Sequence, residues 1–169
     1  MSANVPTDIV FSFTGLIQRG GGTGPHRDGW GIGFYQGRGL RLFQDSGASV
    51  DSEVAHLLRR YPIKSETVIG HIRQANVGEV NLANTHPFVR ELWGRNWCFA
   101  HNGQLPGLLA PNGFYRPVGE TDSEAAFCTV LNRLRLACPE PVPVEELLPL
   151  LVASCAEYQQ IGVFNCLLS

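Results

Sequence analysis

Apolar residues along the chain recur with two different periods, and the two periods separate predicted helices from predicted strands. Ile9, Phe13 and Ile17 follow the spacing of one helical face. A helix is therefore predicted to start within residues 5–8 and to end at the glycine run 20–22. The glycine-rich loop after it has no following lysine, which disfavours a phosphate-binding loop.

Three more helices are predicted further along the chain. Residues 51–60 form a short one, with Val54, Leu57 and Leu58 predicted on its buried face. The sequence TDSE at 121–124 is typical of a capping box, and the apolar pattern behind it predicts a helix to about residue 136. After a proline-rich linker, amphipathic spacing predicts a last helix over residues 145–159.

Shorter apolar segments predict strands. Residues 30–35 alternate large apolar side chains with small ones, and the glycines at 37 and 39 predict a hairpin turn into a partner strand. The continuous apolar runs 67–72 and 97–100 predict strands that are covered on both faces, and a final strand is predicted at 162–168. Stacked sheets with helices outside them follow, so the predicted fold class is α+β.

Composition narrows the range of functions. The chain has 169 residues and a net charge of −2, which gives no electrostatic basis for binding nucleic acid. No apolar run approaches the length that spans a bilayer, and no signal-peptide pattern opens the sequence, so a cytoplasmic protein without a membrane partner is expected. The five cysteines are scattered without a CxxC pair, which favours reduced, buried thiols over disulfides or zinc.

Three polar residues and one glycine stand at the ends of predicted elements and could converge on one amino acid. Arg73 follows a buried strand, Asn102 and Gly103 follow another, and Asp122 begins a helix. A guanidinium binds a carboxylate through two hydrogen bonds, and a carboxylate can bind an ammonium. A side-chain amide beside a glycine N–H can stabilise an oxyanion. Together these groups would suit the hydrolysis of glutamine.

Each candidate also has an ordinary structural explanation. Arg73 could be a solvated arginine at a strand end, and Asn102-Gly103 is the strongest turn dipeptide. Asp122 could simply interact with the helix dipole. His86, which precedes a proline, is explained as well by a structural role. His71 and His101 are interpreted as hydrogen-bonded core or rim histidines rather than metal ligands.

The order of these motifs resembles that of the class II glutamine amidotransferases, and within them a stand-alone bacterial branch. The resemblance covers essentially the whole chain and rests on six segments: DGWGIGFY at 28–35, GHIRQAN at 70–76, NTHPF at 84–88, ELWGRNW at 91–97, HNG at 101–103 and TDSE at 121–124. It implies the four-layer αββα sandwich of the N-terminal nucleophile hydrolases. Residues 1–169 would be one partial glutamine amidotransferase domain.

The resemblance also implies a role for each candidate residue. Arg73 would bind the α-carboxylate of glutamine, and Asp122 would bind its α-ammonium. Asn102 and the N–H of Gly103 would form the oxyanion hole. His86 would line or brace the glutamine pocket. No metal and no cofactor are expected.

One departure from the family pattern concerns the nucleophile, which in this family is an N-terminal cysteine. The chain begins Met1-Ser2 and has no cysteine before Cys98. Met1 is therefore interpreted as an internal methionine of a fragment, incomplete at its N-terminal strand and its C-terminal strands. Ser2, once exposed, could act as a nucleophile in principle, but its place in the family pattern lies past the active-site strand.

The sequence thus predicts a domain that hydrolyses glutamine, or another γ-glutamyl amide, to glutamate and ammonia, and that is inactive as written. The alternative is a non-catalytic module that binds glutamine. A metal hydrolase using His71, His86 and His101 is disfavoured because no carboxylate or HxxxH spacing supports a metal site. The expected partner is a small-molecule substrate, with no nucleic acid; a homodimer stays open.

Overall fold

The computed structural model describes all residues 1–169 and contains seven strands and four α-helices. The elements, in chain order, are β1 (Ser2–Asp8), α1 (Val10–Arg19), β2 (Trp30–Gln36), β3 (Gly39–Asp45), α2 (Glu53–Leu58), β4 (Lys64–Ile72), β5 (Phe88–Leu92), β6 (Arg95–Gln104), α3 (Asp122–Ala137), α4 (Val144–Ile161) and β7 (Val163–Leu168). Short 3₁₀ helices lie at Ser49–Asp51 and Leu82–Asn84.

The strands form two antiparallel sheets. One sheet has the order β1-β4-β2-β3, and the other has the order β5-β6-β7. The hairpin predicted at residues 37–39 is confirmed, because β2 and β3 pair in register from Trp30 opposite Asp45 to Gln36 opposite Gly39. The last strand, β7, pairs along β6 and places Asn165 opposite Asn102.

Two separate hydrophobic cores place the helices outside the sheets. The first core joins α1 and α2 to one face of β2 and β4, with Phe13 and Trp30 in contact at 5.8 Å between ring centroids. The second joins α3 and α4 to the other sheet, where Phe99 stacks on Phe127 at 5.0 Å. The predicted α+β fold with helix, sheet, sheet and helix layers is confirmed.

A third, smaller cluster lies between the sheets and contains Ile69, Cys98 and Ala100. The small side of the 30–35 strand faces this layer: a Cβ on Gly33 would lie 2.9 Å from the sulfur of Cys98. A Cβ on Gly31 would lie 2.2 Å from the carbonyl oxygen of His86. The glycines of β2 therefore allow the two sheets to approach closely.

Two sequence predictions on the helix-covered side were wrong in detail. The segment before α1 is a strand, β1, because it pairs with β4 from Ser2 opposite Thr67 to Asp8 opposite Lys64, and α1 begins only at Val10. In α2 the buried residues are Ala55 and Leu58, whereas Val54 and Leu57 are exposed. Both outcomes were decided by tertiary packing, which overrides local pattern in so short an element.

The predicted helix cap at 121–124 is confirmed in one half. The hydroxyl of Thr121 accepts a hydrogen bond from the N–H of Glu124 at 3.2 Å, and α3 begins directly after it. The buried carboxylate of Glu124 turns away from Thr121. It accepts instead from the N–H groups of Val118 and Gly119 and pairs with Arg90. No helix in the protein is both long and apolar enough to cross a membrane.

Candidate glutamine site

A cavity of about 450 Å³ brings together the five residues singled out by the sequence: Arg73, His86, Asn102, Gly103 and Asp122. They reach it from the end of β4, the segment before β5, the end of β6 and the start of α3. The cavity opens at one end of the two facing sheets. Its lining is mostly polar.

Arg73 forms one wall and is 3% exposed, so the interpretation as a solvated strand-end arginine was wrong. One terminal nitrogen, Nη1, donates to the carbonyls of Asp28 at 3.2 Å and Glu79 at 3.1 Å. The other, Nη2, donates to the carbonyls of Val77 at 3.0 Å and Gly78 at 3.4 Å. Burial lowers the pKa of Arg73, against the opposing charge of Asp28. The Nε–H remains without a protein acceptor.

Asn102 and Gly103 form the opposite wall. They do not make the turn that the dipeptide favours, because β6 continues through them and pairs them with Asn165 and Phe164 of β7. The side-chain amide of Asn102 has no protein partner and is exposed. Gly103 has a φ of +154°, and a Cβ there would lie 1.8 Å from the carbonyl oxygen of Val163. Only glycine fits this position.

Asp122 stands at the first position of α3 with its carboxylate held by backbone N–H groups. Oδ2 accepts from Leu105 at 2.6 Å and Oδ1 accepts from Ser123 at 2.7 Å. The ordinary explanation, a negative charge at a helix N-terminus, is thus also satisfied. The two explanations are compatible, since the same bonds fix the carboxylate at the rim of the cavity.

Four histidines line the cavity, and three of them, His71, His86 and His101, differ in their hydrogen bonding. His101 is paired at both ring nitrogens, with the hydroxyl of Ser123 at 2.8 Å and the carbonyl of Val163 at 3.1 Å. His86 is sandwiched between the rings of His71 at 4.3 Å and Phe88 at 4.6 Å, and neither of its nitrogens has a partner. The prediction of a hydrogen-bonded histidine is therefore confirmed for His101.

For His71 the same prediction holds only in part: its buried Nδ1 has no partner, whereas a backbone hydrogen bond with His101 partly opposes the effect of burial on its pKa. Burial lowers the pKa of His71 to about 4 and lowers the pKa of His86 well below its ordinary value. The pKa of His101 is also lowered by burial, while the nearby Asp122 opposes the shift. The lowered pKa values favour the neutral form of His71, His86 and His101, which lie in the cavity beside one guanidinium and one carboxylate. No group of three or more His, Cys, Asp or Glu side chains is arranged to hold a metal ion.

None of the five cysteines lines the cavity, and all are free thiols. Burial raises the pKa of Cys98 to about 12 and the pKa of Cys128 to about 11, so neither offers a thiolate near neutral pH. The N-terminal amine of Met1 donates to the carbonyl of Val68 at 2.7 Å, within the sheet rather than at the cavity.

Several lining residues were not assigned a role from the sequence. Gln74 and Asn76 lie in the motif that contains Arg73, and Ser123 lies in the one that contains Asp122, so their motifs pointed to them. His26 lines the cavity from the glycine-rich loop before β2. Nothing in the local sequence indicated it, because that loop reaches the cavity only through the tertiary fold.

The family model for class II glutamine amidotransferases matches residues 1–169, the whole chain. The chain belongs to the class II glutamine amidotransferases. The cavity lies where β4, β6 and α3 meet, and four of the six segments that carry the resemblance, at 70–76, 84–88, 101–103 and 121–124, contribute residues to its lining.

Individual class II amidotransferases are similar over the full chain. It is 60% identical over 171 residues to "Putative glutamine amidotransferase YafJ" of Escherichia coli (strain K12), covering 100% of this chain and 67% of the relative. A "Putative glutamine amidotransferase" of Haemophilus influenzae is 47% identical over 170 residues. The match covers 100% of this chain and 58% of that relative. The chain thus spans about three fifths to two thirds of the length of these relatives.

Two solved structures are also similar to this chain. A crystal structure of a predicted glutamine amidotransferase from Pseudomonas aeruginosa PA01 is 65% identical, with a TM-score of 0.77, over 99% of this chain and 66% of that one. The glutamine phosphoribosylpyrophosphate amidotransferase of B. subtilis, at 19% identity and a TM-score of 0.60, covers 95% of this chain and 31% of that one. The second likeness shows the fold alone.

Proposed function

We propose that the protein is the glutamine-hydrolysing domain of an amidotransferase, acting on the side-chain amide of glutamine or of a related γ-glutamyl compound. The observation that carries the proposal is the composition of one cavity. A buried guanidinium, a carboxylate at a helix start and an unpartnered amide beside a glycine reach it from three separate elements. These are the groups that an amino acid with a reacting amide requires.

Recognition would use the two charges of the α-carbon. Asp122 has both oxygens oriented by backbone N–H groups and faces the cavity with its remaining lone pairs, which suit an ammonium. Arg73 would bind the carboxylate. Its terminal nitrogens already donate to carbonyls, so the first contact would use Nε–H, or the carboxylate would replace one of those carbonyls.

The chemical step would use the opposite wall. A thiolate adds to the amide carbonyl, and the oxyanion that forms accepts hydrogen bonds from the Asn102 side chain and the Gly103 N–H. The C–N bond then breaks, the nitrogen takes a proton, and ammonia leaves. Water hydrolyses the resulting thioester to glutamate and restores the thiol.

The cysteines of the chain lie outside the cavity, so the thiolate would have to be supplied by an N-terminal cysteine in an extended form of the protein. Because β1 is antiparallel to β4, with Ser2 opposite Thr67, chain added before Met1 would follow β4 towards Ile72 and Arg73. That direction leads to the cavity. The second candidate function, a module that binds glutamine without hydrolysing it, is favoured by the absence of any cysteine from the cavity lining.

The two functions are separated by measuring glutamate release from two proteins. One is the 169-residue chain, and the other is an extended form, lengthened at both ends to the size of its relatives and starting with Met-Cys. We expect release only from the extended form, and its loss when that cysteine becomes serine. An extended form that binds glutamine but releases no glutamate would support the binding module. Turnover by the chain itself, abolished on changing Ser2, would mean that the nucleophile was misassigned.

A further inference from the structure

Asn84 belongs to a motif that the proposed function leaves unused, yet it is one of the most buried polar residues of the protein. It is 0% exposed and ends the 3₁₀ helix Leu82–Asn84. A buried amide is stable only when its donors and acceptor are satisfied, so its partners show what it holds together.

The amide connects two loops that approach the cavity from different elements. Its Nδ2 donates to the carbonyl of Glu79 at 3.0 Å, and its Oδ1 accepts from the N–H of Glu120 at 2.8 Å. The carbonyl of Glu79 also accepts from Nη1 of Arg73 at 3.1 Å. Glu120 lies two residues before Asp122. Asn84 and Arg73 therefore donate to the same carbonyl, and Asn84 also accepts from the residue that lies two positions before Asp122.

Both loops fit closely around this side chain. A Cβ on Gly119 would lie 2.1 Å from Oδ1 of Asn84, and a Cβ on Gly78 would lie 2.9 Å from its Nδ2. Backbone without side chains is thus packed against the amide on both sides. A longer residue at position 84 would push the loops apart, and a shorter one would leave the N–H of Glu120 without a partner and remove one of the donors to the Glu79 carbonyl.

We propose that Asn84 is a positioning residue that fixes the separation between the Arg73 guanidinium and the Asp122 carboxylate. The site would thereby select a head group whose carboxylate and ammonium share one carbon, an α-amino acid. The selectivity rests on the proposed function, whereas the link between the two loops rests on the contacts alone. Asn84 touches no substrate in this proposal and acts only through the backbone.

Two substitutions separate its two contacts, and a matched control exists elsewhere in the chain. Asn84→Ala removes both hydrogen bonds. Asn84→Asp keeps an acceptor for Glu120 but loses the donor to Glu79. The control is Asn132→Ala, because Asn132 also bridges a loop with both amide atoms, to the N–H and the carbonyl of Tyr115 at 2.9 Å each, away from the cavity.

Hydrogen exchange on the 169-residue chain tests the link without any ligand. In Asn84→Ala we expect exchange to accelerate about 10- to 100-fold both at the amide of Glu120 and at the amide of Asn81, which donates to the Glu79 carbonyl at 3.1 Å. Asn84→Asp should accelerate exchange at Asn81 while Glu120 stays protected. Acceleration in only one loop of Asn84→Ala would overturn the proposal.

Binding of L-glutamine and of glutaramate, which lacks the α-ammonium, tests the selectivity. Wild type should bind glutamine more tightly than glutaramate, and Asn84→Ala should reduce that ratio about 10-fold. Asn132→Ala should leave the ratio unchanged, even where it lowers Tm as much as Asn84→Ala does. An unchanged preference in Asn84→Ala would make Asn84 purely structural and overturn the proposal. If wild type binds no glutamine, the proposed function fails, and hydrogen exchange alone decides whether Asn84 links the loops.

Discussion

The two walls of the cavity are built in different ways. Arg73 is held by carbonyls of irregular backbone at residues 28 and 77–79. Asn102 and Gly103 lie inside a paired strand, and Asp122 starts a four-turn helix. One wall therefore depends on loops that are fixed by side chains such as Asn84, and the other depends on sheet register and helix packing.

This difference suggests that the two walls have different functions. The wall of regular structure would carry the oxyanion donors, which must be fixed before the reaction because their benefit comes from preorganisation. The loop wall would carry recognition of the carboxylate, where hydrogen bonds can be exchanged as the ligand enters. Substitutions on the two walls should consequently affect different measurements.

The largest effect is expected for Asn102→Ala in the extended form. Loss of one oxyanion donor should lower kcat by ~10²–10³ while KM changes little, because the amide acts mainly in the transition state. Steady-state kinetics with glutamine measure both constants. An effect confined to KM would mean that Asn102 binds the ground-state substrate. It would then not act as an oxyanion donor, and the two walls would not differ in function.

Glycine substitutions compare the rigidity of the walls in the 169-residue chain. Gly103→Ala should cost about 3 kcal/mol or more, because its Cβ would meet the backbone carbonyl of Val163 within a paired strand. Gly78→Ala, at a φ of +76° in the loop wall, should cost about 1–2 kcal/mol. Urea unfolding gives both free energies. A larger loss for Gly78→Ala would show that the loop wall is the more rigid one.

Changes at the two recognition charges should reduce kcat/KM of the extended form for glutamine by about 10- to 100-fold. Arg73→Lys keeps the charge but loses the planar donor set, and Asp122→Asn removes the counter-charge of the ammonium. Wild type should reject glutamine with an esterified α-carboxylate, and Arg73→Ala should scarcely distinguish the two substrates. If Arg73→Ala retains the preference for the free carboxylate, Arg73 only anchors its loops.

The smallest expected effect is a loss of folding stability as the pH falls. The pKa of His71 in the folded protein, about 4, lies below its ordinary 6.5, so protons bind the unfolded chain first as pH falls. Stability is unaffected above pH 6.5 and is lost between pH 6.5 and 4. By pH 5.5 the part of the loss due to His71 should be about 1.4 kcal/mol, and His71→Gln should remove that part and leave the part due to the other buried histidines. His101→Gln should remove less, since its shift is opposed by Asp122. Equal contributions in pH-dependent urea unfolding would contradict this difference.

Much of the architecture could be predicted from local sequence. The hairpin at residues 37–39, the helix after Thr121 and the final strand were confirmed, because each is defined by a turn residue, a cap or a long apolar period. The strand β1 could not be predicted from local sequence, because its seven residues are mostly exposed and are ordered only by pairing with β4. The prediction of the buried face of α2 was wrong for a similar reason. A helix of six residues is too short for its apolar spacing to define one face.

For the site, local sequence was enough to predict that Arg73, Asn102 and Asp122 come together, and all three line one cavity. The motifs around Arg73, Asn102 and Asp122 follow the ends of strongly patterned elements, and such ends gather where sheets and helices meet. The way in which those residues are held depends on contacts between distant parts of the chain. The four carbonyls around Arg73, the continuation of β6 through Asn102 and the Asn84 link all join positions distant in the chain. Periodicity and capping report on neighbours within a few residues, whereas hydrogen bonds between loops depend on where the packed cores bring those loops together.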